Sequence, residues 1–511
     1  MTSPFILVIF GATGDLAQHK LIPALFSLYK NNQLDKKFFI VGFARRAFTD
    51  QEYAHMLGDE LEFHKDADWA AFSKHIVYQQ GMFDEKEAYK QLSVKLQEVD
   101  KQTSSPNTKL FYLATPPDNY ETILQNLLIS GFSNPSQPPL IREGARFSRS
   151  DFGRNTVSLP DKGELERVSG VRNDRVRIII EKPFGKDLQT ARNLDKKLAE
   201  MFAEEQIFRV DHYLGKETVQ NMLAFRFANG IFEPVWNRHY IDHVQITFAQ
   251  DEGIGNRGRF FDGVGILRDI GQNHLLQLLA AVAMEQPGSF TKEGVRDARA
   301  NAITAIRCPQ PSEIARQIVR GQYSGYRREA HVAPDSQTET YVAMKLFVDT
   351  DRFSGVPFYL RAGKKMQHEV VEIKIVFIQT CHVLFKEFGC PEIGNVLTIR
   401  IQPDEGMGLR VIVKSPGTSL ALETVAMKFS YHQQFGSHGV DAYEKVLLDI
   451  ITGDQMLFNR SDELESSWQL ISTILKGWEG SGSKDLRIYD QGSPGPQEGN
   501  MLIENDGRKW L

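Results

Sequence analysis

The sequence predicts an α/β domain built on a parallel sheet, followed by an α+β domain with a large, mostly antiparallel sheet. Three observations lead there. The chain has 511 residues, beyond the size at which one hydrophobic core stops growing. Its first 200 or so residues alternate short apolar runs with amphipathic segments, the pattern of strands joined by crossover helices. Between Thr340 and Ile412 the texture changes to extended runs enriched in β-branched residues. The expected division is residues 1–210 and 211–511, with an irregular insertion at about 133–175.

In chain order, the apolar runs of the first domain are Phe5–Phe10, Phe38–Ala44, Leu110–Ala114 and Val176–Ile180. After the first run a helix is expected from Asp15, an acidic first-turn residue, with Leu16, Leu21, Leu25 and Leu28 as its apolar stripe. From Ser133 to Arg175 periodicity fades into Pro, Gly, Ser and charged residues, which reads as a surface loop inserted in the domain. The second domain is expected to carry a helix over Thr218–Asn229, a strand at His243–Ala249 and a long apolar helix across Gly263–Met284. Further strands are expected at Val370–Ile378 and Val396–Ile401, and helices at Ala442–Ile451 and Asp462–Trp478.

The net charge of −5 is small for this length, so no global field points to nucleic acid or an anionic membrane, and any anionic ligand must be held by a local cluster. The three cysteines, Cys308, Cys381 and Cys390, have neither an even count nor close paired spacing. They predict neither a disulfide framework nor a zinc site, no metal is expected, and a reducing compartment fits. Phe5–Phe10 lacks the basic flank and cleavage site of a signal peptide, and no uncharged apolar stretch of about 18 residues occurs. The expected location is the cytoplasm.

The first strand runs into Gly11-Ala12-Thr13-Gly14-Asp15-Leu16-Ala17 and then a helix. Strand, tight glycine turn and helix in succession place a pyrophosphate on backbone N–H groups at the positive end of the helix dipole. The spacing departs from G-x-G-x-x-G, so the motif alone is compatible with a structural turn. The second strand leads into Gly42-Phe43-Ala44-Arg45-Arg46, where NAD-selective Rossmann-type domains carry an acidic residue for the ribose 2′-hydroxyl. A guanidinium there matches a 2′-phosphate, so Arg45, with Arg46 as second candidate, predicts NADP as the cofactor.

Arg209-Val-Asp-His-Tyr-Leu-Gly-Lys-Glu217 reads, taken alone, as a charged helix start in which His212 and Lys216, four apart, share a face. Its company changes its weight. Gly11–Ala17, Glu181-Lys-Pro-Phe-Gly185, Arg209–Glu217, Arg268-Asp-Ile-Gly-Gln-Asn-His274 and Arg361-Ala-Gly-Lys364 occur in this order. Together they closely resemble the glucose-6-phosphate dehydrogenase family. The resemblance runs from residue 5 to the C-terminal Tyr489, Gly495-Pro496 and Trp510, with the insertion as its main gap.

That resemblance implies oxidation of D-glucose 6-phosphate to 6-phospho-D-glucono-1,5-lactone with hydride transfer to NADP, the first step of the oxidative pentose phosphate pathway. His274 is implied as the general base and Asp211 as the carboxylate that orients it and supports the imidazolium, roles that suit an imidazole's pKa and a carboxylate partner. His212, Tyr213, Lys216 and Lys364 are implied as phosphate ligands, and Lys182 and Asp269 as partners of sugar hydroxyls, with Lys182 also beside the cofactor. A cis bond between Lys182 and Pro183 is a family expectation too. Two positions depart from the family: Gln250 stands where a sugar-contacting glutamate is expected, with Asp251 or Glu252 as possible substitutes, and Glu369 stands where an arginine near the phosphate is expected. Some members hold a second, structural NADP, for which Arg361 and Lys414 are candidates alongside the reading of both as ordinary surface bases. The family's large sheet packs against its copy in another subunit, which implies a homodimer or homotetramer.

Overall fold

The computed structural model describes residues 2–103, 107–132, 175–436, 441–479 and 485–511. The expected insertion at 133–175 thus lies, but for Arg175, outside the described residues. The N-terminal sheet is formed by β1 (Phe5–Phe10), β2 (Phe38–Ala44), β3 (Ile76–Gln80), β4 (Thr108–Leu113), β5 (Val176–Glu181) and β6 (Ile207–Val210). All are parallel, in the order β3-β2-β1-β4-β5-β6. This is the doubly wound order, whose strand sequence reverses between β1 and β4 and opens a crevice there at the carboxyl edge. β1 is buried throughout, as a strand covered on both faces must be, which is why it reads as an unbroken apolar run.

The crossover helices are α1 (Ile22–Lys30), α2 (Asp50–Glu60), α3 (Lys86–Thr103), α4 (Tyr120–Ile129) and α5 (Leu188–Met201). As expected, the helical path after β1 starts at Asp15, but it passes through one π-helical turn, Ala17–Leu21, before α1. Leu21, Leu25 and Leu28 lie in the core on the α1 side of the sheet.

The second sheet has nine strands: β7 (Ile241–Ala249), β8 (Ile318–Tyr323), β9 (Tyr341–Phe347), β10 (Pro357–Gly363), β11 (Val370–Phe377), β12 (Val396–Gln402), β13 (Gly406–Lys414), β14 (Leu422–Ser430) and β15 (Leu486–Tyr489). Their order is β14-β13-β12-β11-β7-β10-β9-β8-β15. Only β7 with β10 and β8 with β15 are parallel neighbours; the sheet is therefore mostly antiparallel, as predicted. The helices of this half of the chain include α6 (Glu217–Ala228), α7 (Leu276–Ala283), α8 (Ala442–Thr452) and α9 (Ser461–Glu479). Late in the chain, α8 returns to the first sheet: Tyr443, Val446, Leu447 and Ile450 share a core with Leu21, Leu25 and Ile179.

Two expectations are corrected. The segment from Asp211 to Lys216 is a series of turns, with Leu214, Gly215 and Lys216 N–H groups bonded to the carbonyls of Asp211, His212 and Tyr213; the helix starts only at Glu217, after Lys216 as N-cap. A tight turn returning from a strand end leaves no helix face for His212 and Lys216 to share. Second, Cys381 and Cys390 form a disulfide, with Cα atoms 5.9 Å apart. The connection between β11 and β12 folds back through a short helix at His382–Phe385, which brings together two cysteines that look unpaired by spacing. Cys308 is free.

Candidate active site

β5 and β6 end side by side, with Glu181 paired to Val210. The residues that follow, Lys182 and Asp211, are therefore delivered together at the carboxyl edge. The apolar helix expected across 263–284 supplies the third group, in a changed form: Leu267–Leu275 is π-helical and only Leu276–Ala283 is regular α-helix. π-Helical turns re-aim side chains and recur at functional sites; here one carries both Asp269 and His274. Its start is held by Glu339, whose carboxylate accepts the Leu267 N–H at 3.1 Å.

His274 Nδ1 lies 2.7 Å from Asp211 Oδ1, and the two side chains are 1% and 0% exposed. The same Oδ1 accepts the Tyr213 N–H at 3.0 Å. The other ring nitrogen, Nε2, is 2.7 Å from Lys182 Nζ, which also donates to the Asp269 carbonyl at 3.2 Å. An ammonium can only donate, so Nε2 is the lone-pair nitrogen and Nδ1, beside Asp211, carries the proton. The ring is wedged between Tyr213, 4.2 Å away, and Phe248, nearly parallel at 5.8 Å.

Burial alone would raise the Asp211 carboxyl, but the adjacent His274, with His212 and Lys182 beyond it, holds it well below the usual carboxylate range. Burial lowers His274; Asp211 opposes this, Lys182 adds to it, and the net is below the ordinary imidazole value. The ring is thus biased toward its neutral form. Asp211, His212 and His274 bring one donor atom each within 4.8 Å of one another; the positive charge against His274 in this arrangement is the Lys182 ammonium.

Around this pair the turn after β6 sets out His212, Tyr213 and Lys216, which line a cavity of about 1540 Å³ together with Leu16, Gln402 and Tyr443. His212 is pushed well below its ordinary value by burial and by the neighbouring His274 and Lys182. Lys216 Nζ sits 5.4 Å above the Tyr213 ring. Lys364, 1% exposed, donates to Gln250 Oε1 at 2.8 Å, and burial pushes its ammonium down to about 8 against the attraction of Asp269. Glu369 is exposed, its Oε1 accepting from Gln402 Nε2 at 2.8 Å. Thus Lys182, Asp211, Asp269 and His274 form one cluster, and Tyr213 bridges it to His212 and Lys216. The bond between Lys182 and Pro183 is cis.

Three groups here were not singled out from the sequence. Glu181, buried, accepts from Tyr112 Oη at 2.6 Å and from Tyr443 Oη at 3.4 Å, and burial raises its carboxyl to about 7. Tyr443 stacks on His212 at 5.7 Å. Gln402 touches Tyr213. Glu181 sits inside a quoted motif, yet only the fold reveals its tyrosine shell.

At the switch point, Gly11 has φ +87°, and a Cβ there would stand 2.4 Å from the Ala114 carbonyl oxygen. Only glycine fits. Gly11 N–H bonds the Phe43 carbonyl and Gly14 N–H closes the turn onto the Gly11 carbonyl, both at 2.9 Å, while Tyr53 Oη anchors the Ala12 carbonyl at 2.9 Å. Ala12 is buried, Thr13 and Leu16 are half-buried and Asp15 is exposed. The bare backbone of this turn, opening at the carboxyl edge before a helix, fits a dinucleotide pyrophosphate. Arg45 and Arg46 follow β2 at the same edge, exposed. Arg361 packs its guanidinium on Trp510 at 4.2 Å and donates to Thr247. Lys414 bonds the carbonyls of Ser415 and Gly417. With β12, β11 and β7 between their strands, the two are roughly 19 Å apart across the sheet at one strand spacing per step.

A doubly wound domain with a glycine turn at its switch point, facing a buried imidazole–carboxylate pair, defines a nicotinamide-dependent dehydrogenase. Comparison with known proteins gives the family. Residues 8–143 and 150–221 match the model of the glucose-6-phosphate dehydrogenase NAD binding domain, and residues 223–511 that of the glucose-6-phosphate dehydrogenase C-terminal domain. The chain is 38% identical over 526 residues to glucose-6-phosphate 1-dehydrogenase 2 of Mycobacterium tuberculosis, covering 100% of this chain and 95% of that one. It is 39% identical over 529 residues to the glucose-6-phosphate 1-dehydrogenase of Chlamydia muridarum, covering 99% and 96%. A solved structure of a glucose-6-phosphate dehydrogenase in complex with glucose 6-phosphate superposes with a TM-score of 0.84 at 31% identity, covering 100% of both chains. That of the Mycobacterium avium glucose-6-phosphate 1-dehydrogenase gives 0.80 at 31% identity, covering 100% and 99%. The chain belongs to the glucose-6-phosphate dehydrogenase family.

Proposed function

We propose that the chain oxidises D-glucose 6-phosphate to 6-phospho-D-glucono-1,5-lactone with NADP as hydride acceptor, the first step of the oxidative pentose phosphate pathway. The observation that carries this reading is the buried His274–Asp211 pair, whose lone-pair nitrogen Nε2 faces Lys182. His274 Nε2 removes the proton of the anomeric hydroxyl once Lys182 turns from the ring to the sugar. Asp211 fixes the tautomer and stabilises the imidazolium that forms. Lys182 and Asp269 hold sugar hydroxyls, Gln250 sits where it reaches the same sugar from Lys364, and His212, Tyr213, Lys216 and Lys364 receive the phosphate. The nicotinamide, when bound, supplies the site that accepts the C1 hydride.

The turn Gly11–Leu16 holds the pyrophosphate, Lys182 stands between cofactor and sugar, and Arg45, with Arg46 beside it, favours a 2′-phosphate and hence NADP. We place residues 1–210 in the cofactor domain and 211–511 in the substrate and assembly domain, with α8 reaching back. The apolar residues Val413, Val425 and Met427, exposed on β13 and β14, support association through the large sheet as a homodimer or homotetramer. No helix among the described residues is long and apolar enough to cross a membrane, which accords with a cytoplasmic enzyme of small molecules.

The test is NADPH formation followed by absorbance, with glucose 6-phosphate, glucose and other hexose phosphates, each with NADP and NAD. Glucose 6-phosphate with NADP is expected to give the highest kcat/KM. Absence of turnover with that pair under every condition would overturn the assignment, and a preference for another hexose would trace to Gln250 and Glu369.

A further inference from the structure

A hydrogen-bonded chain at the start of β11 and the end of β12 bears on the anion-binding side of the cavity. Glu369 stands one residue before β11 and Gln402 closes β12, pairing across the ladder with Val371. Gln402 Nε2 donates to Glu369 Oε1 at 2.8 Å, and Gln402 Oε1 accepts from Tyr213 Oη at 3.3 Å. Gln402 and Tyr213 line the same cavity as His212 and Lys216.

A carboxylate only accepts, so the amide nitrogen of Gln402 must face Glu369 and its oxygen must face Tyr213. The Tyr213 ring is held against His274 and Phe248 at 4.2 and 5.0 Å, leaving rotation of the hydroxyl as its main freedom. A phenol has one proton. While that proton is given to Gln402, Tyr213 turns lone pairs toward the cavity, the wrong polarity for a phosphate oxygen.

We propose that Glu369, acting through Gln402, is a specificity-determining residue that commits the Tyr213 proton away from the anion site and weakens the hold on the substrate phosphate. The inference rests on the reading of Tyr213 as a phosphate ligand. The Glu369 charge also reaches the ring, adding to burial and Asp211 in raising Tyr213.

The experiment measures KM for glucose 6-phosphate and for NADP in the full-length wild type and in Gln402→Leu, Glu369→Gln, Tyr213→Phe and the two double variants. Gln402→Leu alters no charge and frees the phenol proton; it is expected to lower the glucose 6-phosphate KM roughly five-fold, the worth of one competing hydrogen bond, with KM for NADP unmoved. Glu369→Gln, whose amide lets Gln402 turn over, is expected to act likewise, and both gains are expected to vanish in the Tyr213→Phe background. An unchanged or raised KM in folded Gln402→Leu would overturn the proposal, as would a Glu369→Gln gain that survives without the Tyr213 hydroxyl, since charge removal alone would then account for it. A wild type inactive with glucose 6-phosphate would instead overturn the functional reading and this proposal with it.

Discussion

Replacing Asp211 by asparagine changes one charge and almost no volume. The amide oxygen of the variant can still accept the Tyr213 N–H now held at 3.0 Å, so the turn after β6 should keep its course. What goes is the negative charge 2.7 Å from His274 Nδ1, in a pair with essentially no solvent contact. At that distance, and with an effective dielectric constant of about 20, the Coulomb attraction to an imidazolium is roughly 6 kcal/mol. Part is offset by the desolvation that burial imposes on the carboxylate, which leaves a net loss of about 3–5 kcal/mol when one partner of a buried pair is removed. That loss falls on the state in which His274 holds the substrate proton, so kcat should drop about 10²- to 10³-fold or more while KM for glucose 6-phosphate changes little. Steady-state NADPH formation, with thermal melting to confirm folding, measures both. A kcat within ten-fold of wild type would refute the role given to Asp211, and parallel losses in kcat, both KM values and melting temperature would show a damaged fold instead.

Three further outcomes follow from other parts of the site. Arg45→Ala should raise KM for NADP about ten-fold or more and leave KM for NAD nearly unchanged, because only the 2′-phosphate loses a partner; equal effects on both cofactors would contradict the assignment. Lys364, whose ammonium is pushed down to about 8, is charged below that pH and neutral above it. Free enzyme should therefore lose substrate affinity as pH rises through about 8, a change that Lys364→Met should abolish in the KM profile. Gly11→Ala, which sets a Cβ 2.4 Å from the Ala114 carbonyl at φ +87°, should remove detectable dinucleotide binding in calorimetry or destabilise the domain by about 1–3 kcal/mol or more; near-normal binding and stability would show that the turn relaxes.

The fold was legible where one physical signal dominated. β1 and β2 lie on the expected residues because both are apolar from end to end and almost wholly buried. β3 and β6 were missed: β3 ends in Gln79-Gln80, and β6 has only four residues, too short for a periodicity to register. The helix reading of Asp211–Lys216 failed because local charge spacing says nothing about a turn forced by the end of a parallel strand. Within the site, Lys182 could be placed at the carboxyl edge from its strand, but Asp211 and His274 are 63 positions apart, and their meeting depends on where a π-helical stretch is set relative to the end of β6. That contact was available only through resemblance. Tyr443 and Gln402 belong to elements remote in sequence, and their bearing on His212 and Tyr213 is a property of tertiary packing alone.

In the proposed reaction hydride leaves C1 of glucose 6-phosphate for NADP while His274 takes the adjoining proton. It is tested most directly by offering the enzyme glucose 6-phosphate deuterated at C1 and analysing both products by mass spectrometry. NADPH is expected to carry one deuterium, the 6-phosphogluconolactone to have lost it, and a His274→Asn variant to bind substrate but transfer almost none. NADP left unreduced by the wild type, or NADPH formed without the label, would contradict it.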